Sequence, residues 1–270
     1  MELSFYPQLV SELRREFLVW RSYQVNAISS LVMWGVVFPI LLVTLISVAE
    51  NAGVNYSASL QAASLIGFLI WKLCTGVLVA VPRMIEQEAS MGTLENVMVT
   101  SYLPFSVLFF FRVIARSIRS CLEALLLGLV LTFVFGLSLT MSPAAFLITF
   151  LTLAGVWGIG FALAGLAMIY KNIASVTSLV AYLAFTISGA FVPINSLGVV
   201  FTILKYTFPM TWGIDILRSV MIDGYDLALL IRNGSLPGLL LQSAAMLIIG
   251  YVILNSSLNR VKVRGELGVY

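Results

Sequence analysis

Long apolar blocks alternate along this chain with short clusters of charge, and the borders between them define the architecture. No Asp, Glu, Lys or Arg lies between Arg21 and Glu50, Glu50 and Lys72, Glu123 and Lys171, Lys171 and Lys205, or Arg232 and Arg260. A helix crosses roughly 30 Å of hydrocarbon with about 20 mostly apolar residues, so each gap holds one crossing or two. The pattern predicts an all-α membrane protein: a single transmembrane domain over residues 1–270 with six crossings at 26–49, 60–82, 112–136, 144–170, 174–193 and 239–258. Glu50, Asn51, Gly53, Asn55 and Ser57 form a polar turn after the first crossing. Ser138, Thr140, Ser142 and Pro143 form another after the third.

Outside the crossings three stretches carry their own patterns. In residues 1–24, Leu9, Leu13, Phe17 and Trp20 recur at helical spacing while Glu12, Arg15, Glu16 and Ser22 fall largely elsewhere, which predicts an amphipathic helix lying along the headgroups. A solvated leader is the plainer alternative. Glu12, Arg14, Arg15, Glu16 and Arg21 precede the first apolar run, so no cleavable signal is expected. Residues 83–103 read as a charged cytoplasmic loop, and residues 194–236 as an external segment with short helices. The helical pattern of 104–135 carries Arg112, Arg116, Arg119 and Glu123 in its first half. At about 48 Å it exceeds a perpendicular crossing, so the basic half meets the membrane interface.

Composition narrows the class. Apolar residues make up 60% and charged residues 10% of the chain, against about 45–50% and about 25% in soluble domains. The chain has no histidine, which excludes His-based acid–base work, the Ser-His-Asp triad and His-ligated zinc. Cys74 and Cys121 have no metal or disulfide-framework spacing and read as packing residues. The net charge of +3 is too small and scattered for nucleic-acid binding. With cytoplasmic termini, eleven Lys and Arg residues face inward and only Lys205, Arg218 and Arg232 outward, which sets the orientation in a cell membrane.

The stretch from Arg83 to Thr100 is the densest polar site. Gly92 breaks one helix, and Thr93 is a natural N-cap for a second, with Glu95 in its first turn. The resulting short helix suits docking of a cytoplasmic partner, with Leu94, Val97 and Met98 as apolar anchors and Glu86, Glu88 and Glu95 fixing register. A merely solvated loop is the simpler reading of the charge alone.

Glu86 to Ser101, with Glu-x-Glu, then Gly92-Thr93-Leu94-Glu95 and Val99-Thr100-Ser101, resembles the signature loop of type-2 ATP-binding-cassette (ABC) exporter permeases. Ser188-Gly189-Ala190-Phe191-Val192-Pro193 and Phe208-Pro209-Met210-Thr211-Trp212, continuing through Asp215 to Leu217-Arg218, resemble two further motifs of that family. The resemblance covers nearly the whole chain, and the order of the motifs makes it specific. It implies an export channel of two six-span permeases, identical or related, driven by two cytoplasmic ATPase subunits. Gly92 to Val99 would be the coupling helix, the N-terminal helix an interfacial connector, and Pro193 to Arg218 an extracellular re-entrant hairpin that includes Pro209, Trp212 and Asp215. The chain has no G-x-x-x-x-G-K-[ST] loop, so no cofactor is expected in it; ATP and Mg would be bound by the partner.

A mid-span lysine costs at least about 2.5 kcal/mol unless it is paired or faces water. Lys72 could pair with Glu123, Glu123 could instead pair with Arg119, or Lys72 could line the substrate path. Asp215, Arg218, Asp223 and Asp226 lack calcium-loop spacing and read as helix caps with a local Asp215–Arg218 contact. Gly155, Gly158, Gly160, Ala162, Ala164 and Gly165 permit close helix packing. The expected activity is ATP-driven export of an amphipathic or lipid-like substrate. An ion-gradient-driven secondary transporter is the alternative, and an intramembrane enzyme a weaker one.

Overall fold

The computed structural model describes residues 5–53, 55–100, 103–137, 139, 141–191 and 207–264. Within these, all regular structure is helical: α1 (Phe5–Ser22), α2 (Gln24–Asn51), α3 (Ala58–Ser90), α4 (Leu94–Thr100), α5 (Phe105–Phe135), α6 (Pro143–Tyr170), α7 (Ala174–Ile187), α8 (Pro209–Met221), α9 (Leu227–Arg232) and α10 (Ser235–Arg264). Local chemistry sets several borders. Ser57 and Ser142 hold extended backbone and accept from the N–H three residues on, capping α3 and α6. Gly136, at φ 61°, ends α5 in the left-handed conformation that glycine adopts without steric cost.

Five helices, α2, α3, α5, α6 and α10, are long and apolar enough to cross a membrane. The sixth expected crossing, 174–193, contains α7, whose 14 residues reach only about 21 Å. The chain turns at Gly189, with φ 64°. Pro193, Lys205, Ser101, Ser138 and Thr140 lie outside the described residues.

Helices α2, α3, α5 and α6 alternate in direction, whereas α10 runs the same way as α6, with Ser243, Met246 and Leu254 meeting Gly155, Gly158 and Gly165 in order. The Ile173 N–H donates to Glu86, which brings the α6–α7 junction beside the end of α3, while Ser106 donates to Asn255 and so brings the last turns of α10 beside the start of α5. This is the α4 end of the bundle. The opposite end holds α8 and α9, with Trp212 against Gly238 at the start of α10.

The core centres on α6, which packs most extensively against α10 and then α3. Its sequence is apolar on every face because it is covered on nearly every face. A Cβ on Gly158 would collide with the Met246 backbone, and one on Gly250 with the Gly158 backbone. Of the expected small residues, Gly158 and Gly165 lie where α6 and α10 touch main chain to main chain, while Gly160 meets Val81 of α3. By contrast α2 is peripheral, with Phe38 packed on Phe68 but Val25, Ile28, Val32, Val36, Ile40 and Val43 facing outward. Such an apolar face belongs in hydrocarbon.

One border differs from expectation. The charged loop predicted at 83–103 begins only at Met91, because α3 continues through Pro82 to Ser90. Proline removes one backbone hydrogen bond, but Val81, Pro82, Ile85 and Ala89 are all buried, and that burial holds the helix together across the lesion.

Candidate functional site

Arg112, Arg116, Arg119 and Glu123 recur at spacings of four, three and four along α5 and therefore share one face. That face meets α1. Arg112 Nε donates to Glu12 (3.3 Å) and its Nη1 to Glu88 of α3 (2.8 Å). Arg116 and Arg119 both bind Glu16 (2.9 and 3.1 Å). Arg119 Nε also donates to Glu123 (3.0 Å), whose other oxygen lies 3.7 Å from Lys72 Nζ. The two pairings left open in the sequence coexist on the two oxygens of one carboxylate. Arg15 completes the network, 2.9 Å from Glu12 and 4.0 Å from Glu88.

This changes the reading of α1. Glu12 and Glu16, expected on the polar face of an interfacial helix, turn into the protein; Glu12 is buried, while Phe17 and Leu18 are exposed. The reason is electrostatic: carboxylates one turn apart satisfy a row of arginines that would otherwise be desolvated without partners.

A cavity of about 1120 Å³ opens between α1, α2, α3, α5 and α7. Its α3 wall is centred on the row Lys72, Gly76, Val79, Arg83 and Gln87, and continues to Met91 past the helix end. Trp34 and Trp71 stand at its inner end, edge to face with centroids 5.5 Å apart. No lining residue lies on α3 before Trp71. The cavity thus occupies the α4 half of the bundle and extends about 30 Å along α3.

The turn into α4 is built from within. Gly92 has φ 66°, the Thr93 N–H returns to the Glu88 carbonyl (2.9 Å), and the Thr93 hydroxyl donates to the Glu88 carboxylate (2.5 Å). Two expectations change here. Leu94, expected as an anchor for a partner, is 1% exposed and belongs to the chain's own core; Val97 and Met98 are half-buried against that core. Glu86 and Glu88, expected to fix a partner's register, are engaged by the Ile173 N–H and by Arg112 with Thr93. Met91, Gly92, Glu95 and Asn96 remain exposed. In a helix of seven residues there is no periodicity from which to read the inward side.

At the far end, Arg218 is buried and its guanidinium bridges two carbonyls, Ala63 (3.0 Å) and Ala190 (2.7 Å), while Asp215 lies 3.9 Å away. Main-chain recognition dominates over the local Asp215–Arg218 pair expected from sequence. Gly67 sits directly beneath Ala190, and Gly155, Thr152 of α6 and Gly238 receive Pro209, Gly213 and Trp212 of α8. Asp226 precedes α9 without a side-chain capping bond. Gly189, Pro209, Trp212 and Arg218 therefore belong to one closed packing unit, and Asp223 and Asp226 lie exposed outside it.

Five apolar helices of crossing length define a multi-pass membrane protein. The sequence profile described as ABC-2 type transporter matches residues 7–222, and the chain belongs to that family. Membership implies association with an ABC ATPase. The comparison with curated proteins gave no match.

Proposed function

We propose that the chain is the permease subunit of an ATP-driven exporter for an amphipathic or lipid-like substrate, working as a pair of identical or related permeases with two cytoplasmic ATPase subunits that bind and hydrolyse ATP. The observation that carries this reading is the cavity, whose mouth includes Met91, Thr93 and Val97 at the start of α4. A movement imposed on α4 is therefore a movement of the cavity wall. Beyond Trp34 and Trp71 the rings of Phe68, Phe185 and Phe191 follow, and in this reading the arrangement corresponds to a path open toward the ATPase side. In this reading α7 with the residues after it completes a sixth crossing, both termini are cytoplasmic in the cell membrane, α1 is interfacial, and α8 belongs to an external re-entrant hairpin.

Coupling runs through the exposed residues of the turn, Met91, Gly92, Glu95 and Asn96, with Val97 and Met98 at its edge. Leu94 and Glu88 hold the turn in shape and act as positioning residues. Glu95 is exposed, so Glu95→Lys changes the proposed interface without disturbing the fold. Reconstituted with its ATPase in proteoliposomes, Glu95→Lys is expected to lower permease-dependent ATPase stimulation about fivefold or more, the effect of losing about 1 kcal/mol at an interface. Unchanged stimulation, with the variant folded, would count against the coupling role.

A further inference from the structure

We infer that the cavity binds an anionic amphiphile, its phosphate or carboxylate head among the arginines at the α4 end and its apolar body against Trp34 and Trp71. This rests on the exporter reading and adds the chemical class of its cargo.

Charge arithmetic motivates it. Arg15, Lys72, Arg83, Arg112, Arg116 and Arg119 line the cavity against Glu16, Glu88 and Glu123. Counting Glu12 behind Arg112 still leaves an excess of two positive charges. The carboxylates are already shared: Glu16 serves two arginines, and Glu123 serves Arg119 and Lys72. Arg83 is exposed on the cavity wall and holds no ion pair among the described residues. An excess of cations beside hydrocarbon is costly unless water or an anion compensates it, and a guanidinium fork matches phosphate or carboxylate oxygens in geometry as well as charge.

At the inner end the aromatic rings lie beside the Lys72–Glu123 ion pair, whose charges balance. Trp71 packs edge to face against Trp34 and, at 4.8 Å, against Phe185, giving a rigid aromatic wall. Arg83 and Trp71 lie on the same helix about 18 Å apart along its axis. A head at one and a chain end at the other describes an elongated amphiphile, not a compact ion.

The test uses the purified full-length permease in a neutral maltoside detergent, reading tryptophan fluorescence during titration with dodecyl phosphate, dodecyltrimethylammonium or inorganic phosphate. Dodecyl phosphate is expected to give a saturable change at least tenfold tighter than the cation, and inorganic phosphate none. Trp34→Phe with Trp71→Phe removes the signal. Arg83→Gln weakens binding about tenfold, the effect of losing one charge-assisted hydrogen bond, and Arg83→Lys restores most of it. Equal affinity for both dodecyl compounds, no effect of Arg83→Gln, or inorganic phosphate binding as tightly as the amphiphile would overturn the inference. Binding needs no ATPase, so charge-blind binding alongside an uncoupled Glu95→Lys defeats this inference and leaves the exporter reading standing. Selective binding with no ATPase stimulation by the wild-type chain does the reverse.

Discussion

Arg112→Ala is expected to cost about 3 kcal/mol of stability in detergent, the lower edge of the range of about 3–5 kcal/mol for breaking a buried ion pair. The lower edge is the right choice because Arg15 stays behind, 2.9 Å from Glu12 and 4.0 Å from Glu88, and carries part of the lost compensation. What the substitution removes is a side chain of α5 that joins α1 and the end of α3: one guanidinium binds Glu12 and Glu88, and Glu88 in turn holds Thr93 in the turn before α4. Arg116→Ala should cost less, since Glu16 keeps Arg119 at 3.1 Å. Unfolding by titration with sodium dodecyl sulfate from mixed micelles measures both. Arg112→Met combined with Glu12→Gln and Glu88→Gln should recover much of the loss, because the penalty lies in the carboxylates left without a partner more than in the missing attraction. If Arg112→Ala and Arg116→Ala cost the same, or the triple variant is less stable than the single one, the network is not organised around Arg112.

The sequence disclosed the parts of this network without its assembly. Rows of charge at helical spacing are visible in Glu12 with Glu16 and in Arg112, Arg116, Arg119 with Glu123. Which row meets which is a long-range fact, spanning a hundred residues, and local periodicity contains no term for it. The same limit applies to Glu86 and the Ile173 N–H, and to Arg218 with two backbone carbonyls, since a carbonyl leaves no trace in residue type. The long apolar helices were legible because a bilayer imposes both length and composition on them. α7 was legible as apolar, though its helix is shorter than the predicted span. Leu94 was misread for a different reason: in a short helix an apolar residue serves the chain's own core as readily as a partner, and only the packing distinguishes them.

Gly67→Ala should destabilise the protein by about 2 kcal/mol or more, although in an ordinary helix interior the same change gains about 1 kcal/mol. The sign turns on what the new methyl meets. At Gly67 it collides with the Ala190 carbonyl, which is backbone and cannot rotate away, and with the Arg218 guanidinium that bonds the same carbonyl at 2.7 Å. Relieving the overlap means moving the turn after α7 or breaking the charge-assisted bond, at about 1–3 kcal/mol for overpacking and about 1.5–3 kcal/mol for the bond. Gly76→Ala on the same helix is the matched control, because nothing lies within 4 Å of a Cβ there. It should be neutral or stabilising by up to about 1 kcal/mol. The consequence for transport follows from position. Gly67 lies one turn beyond Trp71, past the inner end of the cavity, and in the proposed exporter its contact with Ala190 is part of the seal, so loosening it leaves the arginine-lined mouth intact. Proteoliposomes carrying Gly67→Ala should therefore leak cargo without ATP, while the purified variant keeps dodecyl phosphate binding within about threefold of wild type, well under one lost hydrogen bond to a charged group. Equal stability of the two alanine variants would show that α3 and the turn after α7 do not bear on each other as closely as the geometry at Ala190 requires.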